Sequence, residues 1–316
     1  MKPIIAPIDA NLIEQELTPK RFLRKTNKLN NELYVVNAHN APNTMLEIGR
    51  LREIAFRNGG GGTGEEIDVD KYDYLPEPYQ QLIVWDPAEK KLLGGYRFLL
   101  GKDVEVIDGK PNLATAHLFD YSEKFMNEFM HRTIELGRSF VAEDYQSSKS
   151  GTRSIFTLDN LWDGLGALFL VHKDMEFLFG KVTMYSTYDH ICRDMIVYFM
   201  QKHFPDEDNL ISPKNRLVPI VDTKELDDLF VGLDFKEDYK ILNGAVRERG
   251  TNIPPLVNTY IGTSPTTRMF GTTVDHSFSD VPESGILVRI DDIYDVKKAR
   301  HLTAEYINYD ISYSND

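Results

Sequence analysis

Apolar residues recur along this chain with two periods, and the switches between them mark out its elements. The run Leu33-Tyr34-Val35-Val36-Asn37 has strand length and ends at the turn residues Asn40-Ala41-Pro42-Asn43, which predicts a strand over 33–37. From Thr44 to Arg57 the spacing changes to that of a helix, with Ile48, Leu51 and Ala55 on one stripe. Gly59-Gly60-Gly61-Gly62-Thr63-Gly64 follows, a run that no helix or strand carries in its interior. Gln81–Trp85 and Lys91–Leu100, separated by a turn at Asp86-Pro87, read as two strands, and Thr133–Val141 as another. After a polar loop at Asp144–Gly151, Leu158, Leu161, Trp162, Leu165, Leu168, Phe169 and His172 step by three and four, with Thr157 placed to cap their helix. A strand at Phe177–Met184 and a helix at Asp189–His203, striped by Ile191, Met195, Tyr198 and Phe199, come next. Residues 205–240 are acidic and loop-rich, and 241–293 read as mixed strands punctuated by Gly and Pro.

The order strand, helix, strand, strand, then strand, helix, strand, helix predicts an α+β fold with a mixed central sheet flanked by helices. It is not a regular βαβ series. The core spans 32–204, with an N-terminal extension at 1–31 and a C-terminal elaboration at 205–316. The extension is locally basic. From Lys20 to Lys28 its charges fall at i, i+4 and i+8 beside Phe22 and Leu23, which predicts a basic amphipathic helix. Such a helix either meets an anionic lipid surface or an acidic partner, or is a solvated face.

Composition narrows the function. The chain has 316 residues, 36 basic against 49 acidic, for a net charge of −13, which argues against wholesale nucleic-acid binding. Its hydrophobic fraction of 41% suffices for a real core. A single cysteine, Cys192, excludes an intramolecular disulfide and any CxxC zinc site. There is no signal-like apolar stretch near Met1 and no run long enough to span a bilayer, so the expected location is cytoplasmic.

Most familiar chemistries fail on inspection. The glycine run lacks the GK[ST] ending of a phosphate loop and follows a helix, where a dinucleotide turn would follow a strand. It is a flap over a site or a plain connector. The eight histidines are scattered singly with no HExxH, so no metal is expected, and His172 reads as a core histidine on an apolar stripe. There is no GxSxG, and Cys192 lies in a helical stretch. What remains is charge in apolar company. Glu135 and Arg138 interrupt the strand-like Ile134–Val141. Regular alternation would put them on opposite faces unless a bulge at Gly137 turned both to one side. Arg97 sits in Leu93–Leu100, Arg52 and Phe56 lie one turn apart before the glycines, and Asp70 and Asp73 lie after them.

The series Arg52-Glu53-Ile54-Ala55-Phe56, Asp70-Lys71-Tyr72-Asp73, Gly95-Tyr96-Arg97-Phe98-Leu99-Leu100 and Glu135-Leu136-Gly137-Arg138-Ser139 resembles the GNAT-fold N-acyltransferases that depend on acyl carrier protein. That group takes in the acyl-homoserine-lactone synthases and, nearer, the hemolysin-like ornithine-lipid and glycine-lipid synthases. Leu161-Trp162-Asp163-Gly164-Leu165 with Phe177-Leu178-Phe179-Gly180 looks like the lipid-synthase branch. The likeness runs over about 45–200 and, loosely, 240–290.

It implies transfer of a fatty acyl group, often 3-hydroxylated, from the phosphopantetheine thioester of acyl carrier protein to the α-amine of an amino acid, glycine or ornithine. The product would be a lyso aminolipid. No bound cofactor is implied. The carrier's arm would lie between the strands at Thr133–Val141 and Phe177–Met184, and residues 205–316 would complete the sheet and the acceptor side. Glu135 would be the general base, with Arg138 and Arg97 beside it, either holding the substrate carboxylate or pairing with Glu135 and Asp73. Arg52, Phe56, Asp70 and Asp73 would bind the acceptor, and Phe140, Val141, Lys149, Gly151 and Arg153 the donor. The phosphate turn departs from the usual GNAT form: Gln146–Arg153 is longer and has one glycine. That disfavours free acetyl-CoA as donor. An acetyl-CoA-dependent N-acetyltransferase, an S-adenosylmethionine-using signal synthase and a non-catalytic carrier- or lipid-binding module are the competing readings. Docking an acidic carrier on an acidic chain needs a local basic patch, for which Lys149, Arg153, Lys173, Lys181 and the 20–28 cluster are candidates. An amphiphilic product suggests peripheral contact with the inner membrane face.

Overall fold

A computed structural model describes residues 1–146 and 152–302, leaving aside the side chains of 152–155. In chain order its strands are β1 (Phe22–Lys25), β2 (Glu32–Val36), β3 (Gln80–Asp86), β4 (Lys91–Leu100), β5 (Val106–Ile107), β6 (Lys110–Pro111), β7 (Phe119–Tyr121), β8 (Thr133–Val141), β9 (Phe177–Thr183), β10 (Ile211–Pro213), β11 (Arg268–Asp275) and β12 (Val281–Arg289). The helices are α1 (Ala10–Glu16), α2 (Pro42–Gly59), α3 (Thr152–Val171), α4 (His190–His203), α5 (Thr223–Leu229), α6 (Phe235–Glu248), α7 (Pro255–Ile261) and α8 (Asp295–His301). None of the described helices is long and apolar enough to cross a membrane. The expected fold class, α+β with a large sheet flanked by helices, is the one observed.

The chain divides into two compact units. The first holds 1–104, 132–176 and the segment from Asp295. Here β1, β2, β3, β4 and β8 form consecutive antiparallel pairs. Their core is the apolar positions Leu33, Val36, Leu82, Val84, Phe98 and Ile134, all essentially solvent-free. Gly94 and Gly95 let β8 and β3 approach closely. A Cβ on Gly94 would stand 2.6 Å from the carbonyl oxygen of Phe140, and one on Gly95 2.7 Å from that of Leu82. Behind this sheet Gly164 of α3 admits the Leu82 side chain in the same way. The second unit, 105–131 with 177–294, pairs β9, β12 and β11 in antiparallel order and carries α4 to α7.

Three expectations are corrected. The segment 20–28 is not a basic amphipathic helix: it holds β1 and its turn, with Leu23 and Arg24 both buried. The i, i+4 charge spacing misled because Arg24 points inward, its guanidinium satisfied by the Lys25 carbonyl and the Asn27 side chain. Thr157 does not cap α3 but lies inside it, buried, since the helix begins at Thr152. Residues 235–248 and 255–261 are helical where mixed strands and loop were expected. Asp234 caps α6 by accepting from the backbone N–H groups of Lys236 and Glu237, and Leu242 and Val246 form its buried stripe.

The glycine run is pinned in place. Gly60, at φ 94°, ends α2 in the left-handed region that favours glycine. Buried Glu53 then accepts from the N–H of Thr63 (3.1 Å), the Thr63 hydroxyl (2.8 Å), the N–H of Gly64 (2.8 Å) and Arg57 Nε (2.6 Å). Burial works against its charge, but these donors hold its carboxyl below the ordinary value.

Candidate active site

Strand register brings the charged residues together. Gln81 lies opposite Arg97, Arg97 opposite Gly137, and Leu99 opposite Glu135. Since side chains alternate, Gln81, Arg97, Glu135 and Gly137 share one face of the sheet. It is the face that α2 covers, for Arg52 of α2 donates to the Gln81 amide oxygen.

The bulge exists, one residue beyond its expected place. Gly95 pairs with Phe140 and Arg97 with Gly137, so Arg138 and Ser139 together oppose Tyr96. Arg138, not Gly137, takes the left-handed conformation, at φ 48°. That geometry costs a non-glycine residue about 1–2 kcal/mol. It turns the guanidinium back to the shared face, where Nη1 meets Asp68 at 2.8 Å and Nη2 meets Asp70 at 3.3 Å.

The acids come from a short turn just before β3. Asp70 and Asp73 form a capping box around Lys71–Asp73: the N–H of Tyr72 donates to Asp70 (2.9 Å) and that of Asp70 to Asp73 (3.0 Å). Arg97 Nη1 bridges Asp70 at 2.7 Å and Asp73 at 3.3 Å. The Gln81 amide donates to Asp73 at 3.0 Å while its oxygen receives Arg52, whose Nη1 stands 3.9 Å from Asp73. Three arginines and three aspartates thus interlock. Burial opposes the Asp70 charge, but Arg97 and Arg138 hold its carboxyl at about 2. Burial likewise opposes the Arg97 charge, and Asp73 and Asp70 outweigh it, raising the guanidinium above its usual value. In Arg52, wholly enclosed, burial wins over Asp73 and lowers the value to about 10, so the group stays charged at neutral pH. Removing one member would leave its partner's charge buried, a loss of about 3–5 kcal/mol.

Glu135, 3% exposed, accepts the phenolic hydroxyl of Tyr79 at Oε2. The Tyr79 ring in turn lies under the Arg97 guanidinium, 4.9 Å from its centroid. One Glu135 oxygen is therefore oriented through a chain that ends in the arginine–aspartate network. A carboxylate so held can take a proton from an amine.

Of the expected residues, the structure gathers Glu135, Arg138, Arg97, Arg52, Asp70 and Asp73 into this one cluster. Phe56 lies buried one turn beyond Arg52 on α2. Phe140 packs under Arg52, 5.9 Å from its guanidinium, and Val141 is partly exposed on β8. Lys149, Gly151 and the Arg153 side chain lie outside the described residues. Among the basic-patch candidates Arg24 is buried, Lys181 is paired with Glu283, and Lys20, Lys25, Lys28 and Lys173 are exposed. Sequence reasoning missed Tyr79, Gln81 and Asp68. The signal for the first two was polar residues at alternate positions entering an apolar strand. His172 is a core histidine as expected, its ring pulled down to about 4 by burial. The Cys192 thiol is buried and pushed up to about 11 by desolvation. Among the described residues no group of three or more His, Cys, Asp or Glu side chains could hold a metal ion.

Comparison with known proteins adds three findings. The acetyltransferase (GNAT) domain family matches residues 51–154, the stretch that contains every member of the cluster. A glycine N(alpha)-acyltransferase of Phocaeicola vulgatus is 52% identical over 303 residues, 96% of this chain and 93% of that protein. One of Bacteroides thetaiotaomicron is 53% identical over the same length, 96% of this chain and 90% of that protein. Among solved structures, the CoA-dependent acyl-homoserine lactone synthase BjaI with SAM and isopentyl-CoA covers 88% of this chain and 92% of its own. At 12% identity and a TM-score of 0.38 that likeness carries no weight on substrate or mechanism.

Proposed function

The chain belongs to the family of the glycine N(alpha)-acyltransferases, and from that premise we propose that it acylates the amine of glycine with a fatty, 3-hydroxylated chain delivered as the thioester of acyl carrier protein. The product is an N-acylglycine, a lyso aminolipid. The observation that carries the acceptor is the pair of relatives, aligned over nearly the whole chain and acting on glycine by name. The carrier-bound donor rests on the resemblance of the motif series and on the long, single-glycine sequence of Gln146–Arg153.

The steps balance simply. Glycine arrives mainly as the ammonium form, which cannot attack. Glu135 takes one of its protons, and the freed nitrogen pair adds to the thioester carbon. The C–S bond breaks, the carrier leaves as thiolate, a proton from the new amide nitrogen goes to sulfur, and Glu135 gives up its proton to solvent. Positioned proton transfer of this kind contributes roughly 10²–10⁴ in rate. Arg97 and Arg138, committed to aspartates, set the electrostatic frame that orients Glu135. An amphiphilic product fits release at the inner face of a membrane.

Purified protein is incubated with 3-hydroxypalmitoyl carrier protein or with acetyl-CoA, each with a pool of amino acids, and products are read by mass spectrometry. N-(3-hydroxypalmitoyl)glycine from the carrier is the expected result. Consumption of acetyl-CoA alone would overturn the donor, and a different acylated amino acid would overturn the acceptor.

A further inference from the structure

Gly137 is the one glycine of this site that neither packing nor backbone explains. Gly94 and Gly95 on the facing strand admit no Cβ, which would meet a backbone oxygen at 2.6 or 2.7 Å. Gly137 is different. Its φ is not positive, so any L-residue could adopt its conformation. A Cβ built on it meets one described heavy atom within 4 Å, Arg97 Nε at 3.9 Å. The position is only partly buried, so this space opens outward. Arg97 is itself 3% exposed, and its Nε has no hydrogen-bond partner although Nη1 serves two aspartates. A buried, charged donor left unsatisfied is costly and points to a ligand acceptor. Glu135 lies two residues earlier on the same strand face, about 6.6 Å along the strand. The cradle therefore has a floor without a side chain, a positive donor at one side and a carboxylate at the other.

Taking the glycine-acylating reading as given, we infer that the space over Gly137 is the acceptor subsite, holding a small amino-acid zwitterion with its carboxylate on Arg97 Nε and its amine toward Glu135. Gly137 is then a specificity-determining residue. Its missing side chain makes room for the acceptor's α-carbon beside Arg97 Nε.

The test is Gly137→Ala, with Gly137→Ser as a larger step, assayed beside the wild type for KM and kcat with glycine and for KM with the acyl carrier protein. A methyl group in a close-fitting site is worth roughly 10- to 200-fold in kcat/KM. The loss should appear in the glycine KM, deepen from Ala to Ser, and leave the donor KM and the melting temperature near wild type. A structural role for Gly137 would instead lower the melting temperature or move both KM values together, and that result overturns the subsite. So does an unchanged glycine KM in a wild type that acylates glycine, which leaves the proposed function standing. If the wild type acylates another amine and not glycine, the proposed acceptor falls. The subsite then stands or falls on whether Gly137→Ala raises the KM of that amine. If no amine is acylated, both fall together.

Discussion

Glu135 and Tyr79 show how much of the site a single hydrogen bond can set. The phenol donates to the carboxylate and so fixes its orientation. Tyr79→Phe removes that donor but keeps the ring under Arg97. With that orientation lost, kcat/KM near neutral pH should fall roughly tenfold while the melting temperature stays close to wild type. An unchanged kcat/KM would mean that Tyr79 only fills space. At this scale the sequence was legible for every arginine and carboxylate of the cluster but Asp68, because charges inside apolar runs stand out. Of their pairing it offered Arg97 with Asp73 only as one option, which the structure shows. Nothing local to Arg97 says that Asp70 and Asp73, brought in by a separate turn, would occupy its Nη1 and leave Nε open. Nor could alternation alone say that Arg138 would leave the β region to reach Asp68.

Among the elements, the α2–glycine junction ties fold to site. α2 delivers Arg52 and Phe56, and Glu53 between them holds the turn that follows. Its folded carboxyl lies below the ordinary 4.5. The stability it contributes is therefore fully present above that value and is lost as pH falls through the lower, folded one. Glu53→Gln should cost about 2 kcal/mol near neutrality by urea unfolding. It should also flatten the fall of stability with acidification that the wild type shows below pH 4.5. Identical slopes in the two proteins would remove Glu53 from this role. The strands 81–85, 91–100 and 133–141 were readable as near-continuous apolar runs, for they are largely buried on both faces, and the helices 44–57 and 189–203 as apolar stripes of the right period. β1 was not. Its basic residues follow helical spacing, yet Arg24 buries its guanidinium against a carbonyl and an amide from its own turn. Such tertiary satisfaction of a charge leaves no periodic trace. The α6 helix was hidden in an acidic stretch whose polarity resembles loop, although its Asp234 cap is a readable start signal.

For the whole molecule, the net charge of −13 would bear on how the proposed donor, an acidic carrier protein, approaches. Long-range repulsion acts over about 30 Å at 0.01 M salt and about 8 Å at 0.15 M. With acyl carrier protein as donor, kcat/KM should therefore rise across that range, while an uncharged acyl-pantetheine should show no trend. A fall with salt for the carrier would reveal an attractive patch strong enough to dominate the field. The central claim, that a carboxylate on β8 is the base for acylating glycine, is tested most directly by one comparison. Wild type and Glu135→Gln, matched in melting temperature, are mixed with 3-hydroxypalmitoyl carrier protein and glycine, and the N-acylglycine formed per unit time is counted by mass spectrometry. The account predicts product from the wild type and a loss of roughly 10²–10⁴ in rate for the variant near neutral pH. Product formed by Glu135→Gln at the wild-type rate would contradict it.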